Sequence, residues 1–117
     1  MQIIVRGHGT HVTPALREYA LKKFKRLEHF LAAIRKVEVE LNPQHIHDLE
    51  HRQSAKVTVW VPGAILHKVE SGKDMYASID IAFNKISTVV KKYKEKHFSK
   101  THKGKEKRRR VLASAES

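Results

Sequence analysis

Residues 73–80 read Lys-Asp-Met-Tyr-Ala-Ser-Ile-Asp, and this stretch begins the helix that decides the fold. Asp74 follows Ser71-Gly72 at the position of an N-cap, where its carboxylate can accept hydrogen bonds from the unpaired amides of the first helical turn. Apolar side chains then recur at helical spacing: Tyr76, Ile79, Phe83, Ile86 and Val90. The opposite face carries Lys85, Thr88, Lys92 and Lys96. The pattern predicts an amphipathic helix with one buried face and one basic face.

A second amphipathic helix is predicted at residues 14–31. Thr13-Pro14 is a typical helix start, because threonine can cap the helix and proline is tolerated at the first helical position. One stripe is apolar and consists of Leu16, Ala20, Phe24, Leu27 and Leu31. The opposite side is mainly basic, with Lys22, Lys25, Arg26 and His29 around Glu18.

Four short segments alternate between apolar and polar residues and are predicted to be strands. They contain Ile3 and Val5; Val37, Val39 and Leu41; Ala55, Val57, Val59 and Val61; and Ile65, His67 and Val69. In the fourth segment Leu66 is also apolar, so the sequence does not decide which side chains face the core. Thr58 and Trp60 alternate with buried positions and should point away from the core. Such alternation predicts an antiparallel sheet with one face covered. The expected fold class is α+β, in the order β-α-β-β-β-α, with a four-stranded sheet and two helices packed on one face.

Length and charge suggest one small domain with a basic extension. The chain has 117 residues, which fits a domain at 1–98 followed by a tail at 99–117 that has little to bury and should be disordered. The net charge is +12, and residues 91–110 hold eleven lysines and arginines against Glu95 and Glu106. This asymmetry indicates a polyanionic partner: nucleic acid first, an anionic membrane or an acidic protein second.

The expected location is the cytoplasm. The chain has no cysteine, which excludes disulfides, thiol catalysis and cysteine-ligated metals. The sequence shows neither the pattern of a secretion signal nor an apolar run long enough to span a bilayer, so no membrane association is expected.

The sequence lacks the motifs of the common enzyme classes. It has no glycine-rich phosphate loop, no nucleophile elbow and no His-Glu-x-x-His helix, so we expect neither catalysis nor a cofactor. Asp74 and Asp80 resemble a pair of catalytic carboxylates, but a helix cap and a first-turn charge explain them. The densest histidine group is His45, His47 and His51, with Asp48 and Glu50. A zinc or nickel site is geometrically possible there, but an ordinary polar loop is strongly favoured and no metal is expected.

The basic helix faces are the better candidate for function. If the two helices lie side by side, their charged faces form one surface that can bridge several phosphates. The candidate residues are Lys22, Lys23, Lys25, Arg26, Lys85, Lys91 and Lys92. Two ordinary solvated faces explain the same spacing equally well. With one exposed aromatic, recognition of backbone and shape is favoured over reading of sequence.

The stretch Asp74-Met75-Tyr76-Ala77-Ser78-Ile79-Asp80, followed by Lys85, resembles the signature of the bacterial ribosome hibernation factors. This family comprises hibernation promoting factor and ribosome-associated inhibitor A (protein Y), also called sigma-54 modulation proteins. Residues 13–17 resemble the opening of the family's first helix, and residues 23–28 resemble its Lys-Phe-x-Lys-Leu-Glu segment. The resemblance covers roughly residues 1–97, and the length corresponds to the short form.

The resemblance implies a fold related in shape to double-stranded-RNA-binding domains. It also implies binding to the small ribosomal subunit, across the mRNA channel and the A- and P-site tRNA positions, to silence idle ribosomes in stationary phase or stress. Basic positions of the family correspond to Lys23, Arg26, Lys85 and Lys92, whereas Thr88 stands where relatives often carry arginine. The expected partner is therefore the small subunit and its rRNA, with a monomer in the free state.

Two other functions remain open from the sequence. One is a general double-stranded-RNA-binding module, and the other is a protein-interaction modulator of sigma-54 transcription. Whether the protein promotes ribosome dimers or only silences single ribosomes is also open, as is the role of the basic tail.

Overall fold

The computed structural model describes residues 1–9, 11–43 and 53–99. The strands are β1 (Gln2–Gly7), β2 (Lys36–Pro43), β3 (Gln53–Val61) and β4 (Ala64–Gly72). Helix α1 (Pro14–Lys25) lies between β1 and β2, and helix α2 (Met75–Lys94) follows β4. A 3-10 turn (Arg26–His29) extends α1, and a π-helical turn (Glu95–Ser99) extends α2. The predicted element order is therefore confirmed.

The four strands form one mixed sheet in the order β1-β2-β3-β4. Strands β2, β3 and β4 pair antiparallel, as predicted, but β1 pairs with β2 in parallel. The expectation of an entirely antiparallel sheet is thus wrong for this pair. The physical reason is the connection: α1 carries the chain back along the sheet, so β2 starts at the same end as β1.

The core lies between one face of the sheet and the two helices. Val37, Val39 and Leu41 of β2 are fully buried, and so are Val57 and Val59 of β3. The apolar stripes of both helices close over them, with Phe24 and Phe83 in edge-to-face contact at 5.7 Å between ring centroids. Thr58 and Trp60 lie on the opposite, open face of the sheet, as the alternation predicted, and Lys36 Nζ lies 4.4 Å from the centre of the Trp60 ring.

Helix α1 is shorter than predicted. The sequence pattern indicated a helix over 14–31, but α-helical structure ends at Lys25 and the 3-10 turn takes over. Leu27 O accepts hydrogen bonds from both Phe30 N and Leu31 N. The bond over three residues narrows the last turn, and the helix ends there. Leu27 and Leu31 are still buried, because the turn keeps both side chains on the side of the core.

Three positions with apolar side chains face solvent rather than the core. In β4, Ile65 and Val69 are 60% and 55% exposed, and it is Leu66 between them that packs against the core. Tyr76, assigned to the buried stripe of α2, is 42% exposed. At about 100° per residue Tyr76 lies to the side of the stripe formed by Ile79 and Ile86, toward α1.

Several predictions fall on residues outside those described. They are the histidine-rich loop with His45, His47 and His51, and the basic tail beyond Ser99. Within the described ranges no three histidine or acidic side chains cluster in a way that could hold a metal ion. The described helices also include none that is long and apolar enough to cross a membrane.

Candidate nucleic-acid interface

Helices α1 and α2 lie side by side and run in the same direction. Contacts between them advance together along both elements: Tyr19 touches Tyr76, Phe24 touches Phe83, and Phe30 lies under Lys91. The two helices therefore lie side by side, as a single surface formed by both of their charged faces requires. Each helix turns its apolar stripe to the sheet, so the solvent-facing side chains of the pair flank a shallow groove.

An ion pair closes one part of this groove. Lys23 Nζ lies 3.0 Å from Asp80 Oδ1, and the Tyr19 hydroxyl donates to the same carboxylate at 2.5 Å. The hydrogen bond to Asp80, with burial, raises the pKa of Tyr19 above its ordinary value. Burial raises the pKa of Asp80, but the hydrogen bonds from Tyr19 and Lys23 and the charge of Lys23 outweigh it and leave that pKa lowered. Asp80 is thus a link between the helices.

Residues 74–80 fix the start of α2 on the sheet. Asp74 caps the helix as predicted, since its carboxylate accepts from Ala77 N at 2.8 Å. The buried Ser78 hydroxyl donates to Gln53 O at 2.7 Å and so ties the first turn to β3. Asp80 lies beyond the first turn, so its assignment as a first-turn charge is wrong. Its carboxylate serves the contact with α1 instead.

Six basic side chains at the C-terminal ends of the helices line two adjacent hollows, which we call the basic surface. One hollow, of about 260 Å³, is lined by Lys22, Lys25, Arg26, Glu28 and His29. The next, of about 300 Å³, is lined by His29, Phe30, Lys91, Lys94 and Glu95. The basic surface therefore consists of Lys22, Lys25, Arg26, His29, Lys91 and Lys94, and His29 joins its two halves.

The contacts within the basic surface leave its cations available. Lys22 pairs with Glu18 only at 3.8 Å, and both side chains are more than two thirds exposed, so solvent screens this pair. Lys91 Nζ lies 4.6 Å from the centre of the Phe30 ring, a cation–π contact that positions the ammonium while it stays exposed. A phosphate can approach both groups without displacing a strong partner.

The predicted site residues fall into three groups. The structure brings Lys22, Lys25, Arg26 and Lys91 together in the basic surface. It places Lys23 in the helix–helix contact, with a half-buried side chain paired to Asp80. Lys85 and Lys92 are exposed, but they lie roughly 140° and 120° around α2 from Asp80, on the far side of the helix from α1. Near them the Thr88 hydroxyl donates to Asn84 O of its own helix.

Lys94 was missing from the predicted residues, although the structure places it beside His29. Its position is one turn beyond Lys91, and the spacing of 3 in sequence would have placed both on one face of a helix. The direction in which that face points could not be read from the sequence, because it depends on where α2 lies against α1.

Comparison with known proteins agrees with this architecture. A model of the family described as "Sigma 54 modulation protein / S30EA ribosomal protein" matches residues 3–97. A Picosynechococcus protein named ribosome hibernation promotion factor is 33% identical over 113 residues, which cover 96% of this chain and 58% of that relative. This chain thus spans little more than half the length of that protein. A Klebsiella oxytoca ribosome hibernation promoting factor is 33% identical over 96 residues, which cover 82% of this chain and 96% of the relative.

The fold is also similar to a solved structure. A ribosomal subunit interface protein from Coxiella burnetii superposes with a TM-score of 0.70 at 29% identity. The superposition covers 80% of this chain and 98% of that protein. The mixed sheet with two helices on one face is therefore common to both proteins.

Proposed function

This chain belongs to the family of sigma 54 modulation proteins and S30EA ribosomal proteins, and from that premise we propose that it is a ribosome hibernation factor. In this proposal residues 1–98 bind the small ribosomal subunit and silence ribosomes that are idle in stationary phase or stress. The names of the relatives support the proposal, since they are hibernation factors and a ribosomal subunit interface protein.

The observation that carries the proposal is the basic surface. Its lysines and arginine are grouped where α1 and α2 end side by side, and their ammonium and guanidinium groups face solvent. The open face of the sheet differs, because there Arg6, Lys36 and Lys56 alternate with Glu38 and Glu40. Binding to rRNA through the helices puts the cations on the phosphates and keeps the carboxylates of the sheet away from them.

The proposed mechanism is steric and involves no bond making or breaking. The cations of the basic surface neutralise backbone phosphates and release counterions, which supplies affinity without reading the base sequence. Occupation of the mRNA channel and of the A- and P-site tRNA positions then excludes mRNA and tRNA. The protein acts in the cytoplasm, as a monomer when free, and needs neither a metal nor a cofactor for this task.

Ribosome pelleting with the full chain tests the proposal. Lys25→Glu should weaken binding to small subunits by about tenfold or more and flatten the dependence of log affinity on log salt. Lys56→Glu is the matched control, since it changes net charge equally but lies exposed on the open face of the sheet. Equal losses in both variants would contradict an interface on the helices.

Competition with duplex RNA separates this function from a general double-stranded-RNA-binding module. A hibernation factor stays with small subunits when duplex RNA is added in excess, because the subunit offers a matching shape besides phosphates. Complete transfer of the protein to the duplex would overturn the proposal. Loss of binding to both in Lys25→Glu would still identify the basic surface as the RNA contact.

A further inference from the structure

A third hollow lies at the opposite end of the groove from Lys91 and Lys94. It measures about 370 Å³ and is lined by Ala15, Glu18, Tyr19, Lys22 and Tyr76. The Tyr76 ring is 42% exposed there, and among the tyrosine, tryptophan and phenylalanine side chains that the structure describes it is the one that is exposed rather than buried or half-buried. Within residues 74–80, the side chains of Asp74, Ser78 and Asp80 make hydrogen bonds that stabilise the fold. The exposed ring of Tyr76 makes no such bond with the described residues, which leaves it available for a partner.

The Tyr76 ring rests on a rigid support. Tyr19 meets it edge-to-face, with 4.9 Å between the ring centroids and an interplanar angle of 74°. The hydroxyl of Tyr19 is held by Asp80, which is paired in turn with Lys23. A partner that packs on Tyr76 therefore meets a surface that is already ordered, and little conformational entropy is lost on binding.

The charges around this hollow attract a phosphate less than those of the neighbouring hollow do. Its wall has one cation, Lys22, and one carboxylate, Glu18, whereas the neighbouring hollow has Lys22, Lys25 and Arg26 against Glu28. The Glu18 carboxylate can accept a hydrogen bond from the amino or imino group of a base. Lys22 lines both this hollow and the neighbouring one with Lys25 and Arg26. A base at Tyr76 would thus have its adjoining phosphates next to the basic surface.

We propose that this hollow binds an unpaired nucleobase of RNA, stacked on Tyr76 with its polar edge toward Glu18. The inference rests on the proposed function and deepens it, because it adds a contact to a base to those made with phosphates. Unpaired bases that stack on tyrosine are a common mode by which proteins recognise single-stranded RNA. The sequence preference is weak, since every base has a face that can stack.

The test compares Tyr76→Phe with Tyr76→Leu in the full chain. Phenylalanine keeps the stacking ring, so binding to small subunits should stay within about threefold of the unchanged protein. Leucine removes the ring, and affinity should fall by about 5- to 100-fold. The slope of log affinity against log salt should stay the same in both variants, because no phosphate contact is lost. Equal affinity of Tyr76→Leu and the unchanged protein would overturn the inference, and so would a flattened salt slope.

A second measurement observes the ring directly. NMR resonances of the Tyr76 ring should shift when a short single-stranded RNA is added, and should stay in place with the same strand made abasic. Equal shifts with both strands would overturn the stacking proposal. If the unchanged protein does not bind small subunits, the proposed function fails. If it binds them and Tyr76→Leu binds them equally well, only the stacking inference fails.

Discussion

Lys23 and Asp80 form an ion pair across the two helices, with Nζ and Oδ1 3.0 Å apart. Asp80 also accepts the hydroxyl of Tyr19, 61 residues away in sequence. This carboxylate therefore links α1 to α2 at the surface, above the buried contact of Phe24 with Phe83. A lysine that the family resemblance assigns to rRNA binding is engaged within the protein, and we expect Lys23 to act mainly by holding the helices together.

Replacement of Asp80 should destabilise the fold. Asp80→Ala removes the ion pair with Lys23 and the acceptor of the Tyr19 hydroxyl, and we expect a loss of about 1–2 kcal/mol in the free energy of unfolding. Urea denaturation measures this loss. Glu18→Gln is the control: it removes the carboxylate of an exposed pair with Lys22 and should cost less than about 0.5 kcal/mol. Equal effects of the two variants would contradict a structural role of Asp80.

The same carboxylate should make stability depend on acid pH. The pKa of Asp80 is lowered in the folded protein, so its ionised form favours folding. Its contribution is complete above the unfolded pKa near 3.8 and is lost as the pH falls through the folded pKa. The difference in free energy of unfolding between the unchanged protein and Asp80→Asn should stay constant above about pH 5 and shrink below about pH 4. A difference that persists at the lowest pH would show that Asp80 acts through its hydrogen bonds alone.

Lys85 and Lys92 provide a test of how far the proposed rRNA contact extends around α2. Because they lie on the far side of α2 from the basic surface, we expect Lys91→Glu with Lys94→Glu to weaken small-subunit binding more than Lys85→Glu with Lys92→Glu. The two double variants change net charge equally, and all four side chains are exposed. Pelleting at several salt concentrations measures both. A larger loss for Lys85 and Lys92 would move the interface toward the other side of α2.

The cap of α2 should contribute measurably to stability. Asp74→Ala removes the hydrogen bond to Ala77 N and should cost about 1 kcal/mol, within a range of roughly 0.5–2 kcal/mol. Asp74→Asn is the matched control, because an amide oxygen still accepts that bond and most of the loss should be absent. Thermal unfolding of the two variants distinguishes them. An equal loss in both would assign the effect to charge near the helix dipole rather than to capping.

Patterns among residues close in sequence correctly predicted those features that depend only on such neighbours, namely strand alternation and a helix cap. The alternation in β2 and β3 identified Val37, Val39, Val57 and Val59 as core residues, and Asp74 was recognised as a cap. The end of α1 was misplaced by the same type of argument. The spacing of Leu27 and Leu31 shows that both are buried, but a 3-10 turn satisfies that spacing as well as an α-helix.

Contacts between segments that are distant in sequence could not be predicted from such local patterns. The parallel pairing of β1 with β2 depends on the path of the chain through α1, and the contact of Tyr19 with Asp80 depends on the relative shift of two helices along the sheet. For the candidate site, the sequence supplied the residue types and the helix faces. Packing of α2 against α1 then determined that Lys91 lies beside Phe30 and His29, whereas Lys85 faces away from α1.

The balanced charges on the open face of the sheet have a kinetic consequence. Arg6 pairs with Glu38 there, whereas the cations at the helix ends face solvent, so in the part of the chain that the structure describes unpaired positive charge is greater on the helix side than on the open face of the sheet. A molecule with such a dipole turns in the field of a polyanion before contact, and a larger share of its diffusional encounters begins in the correct orientation. Added salt should therefore slow the association of this protein with its target more than it speeds the dissociation.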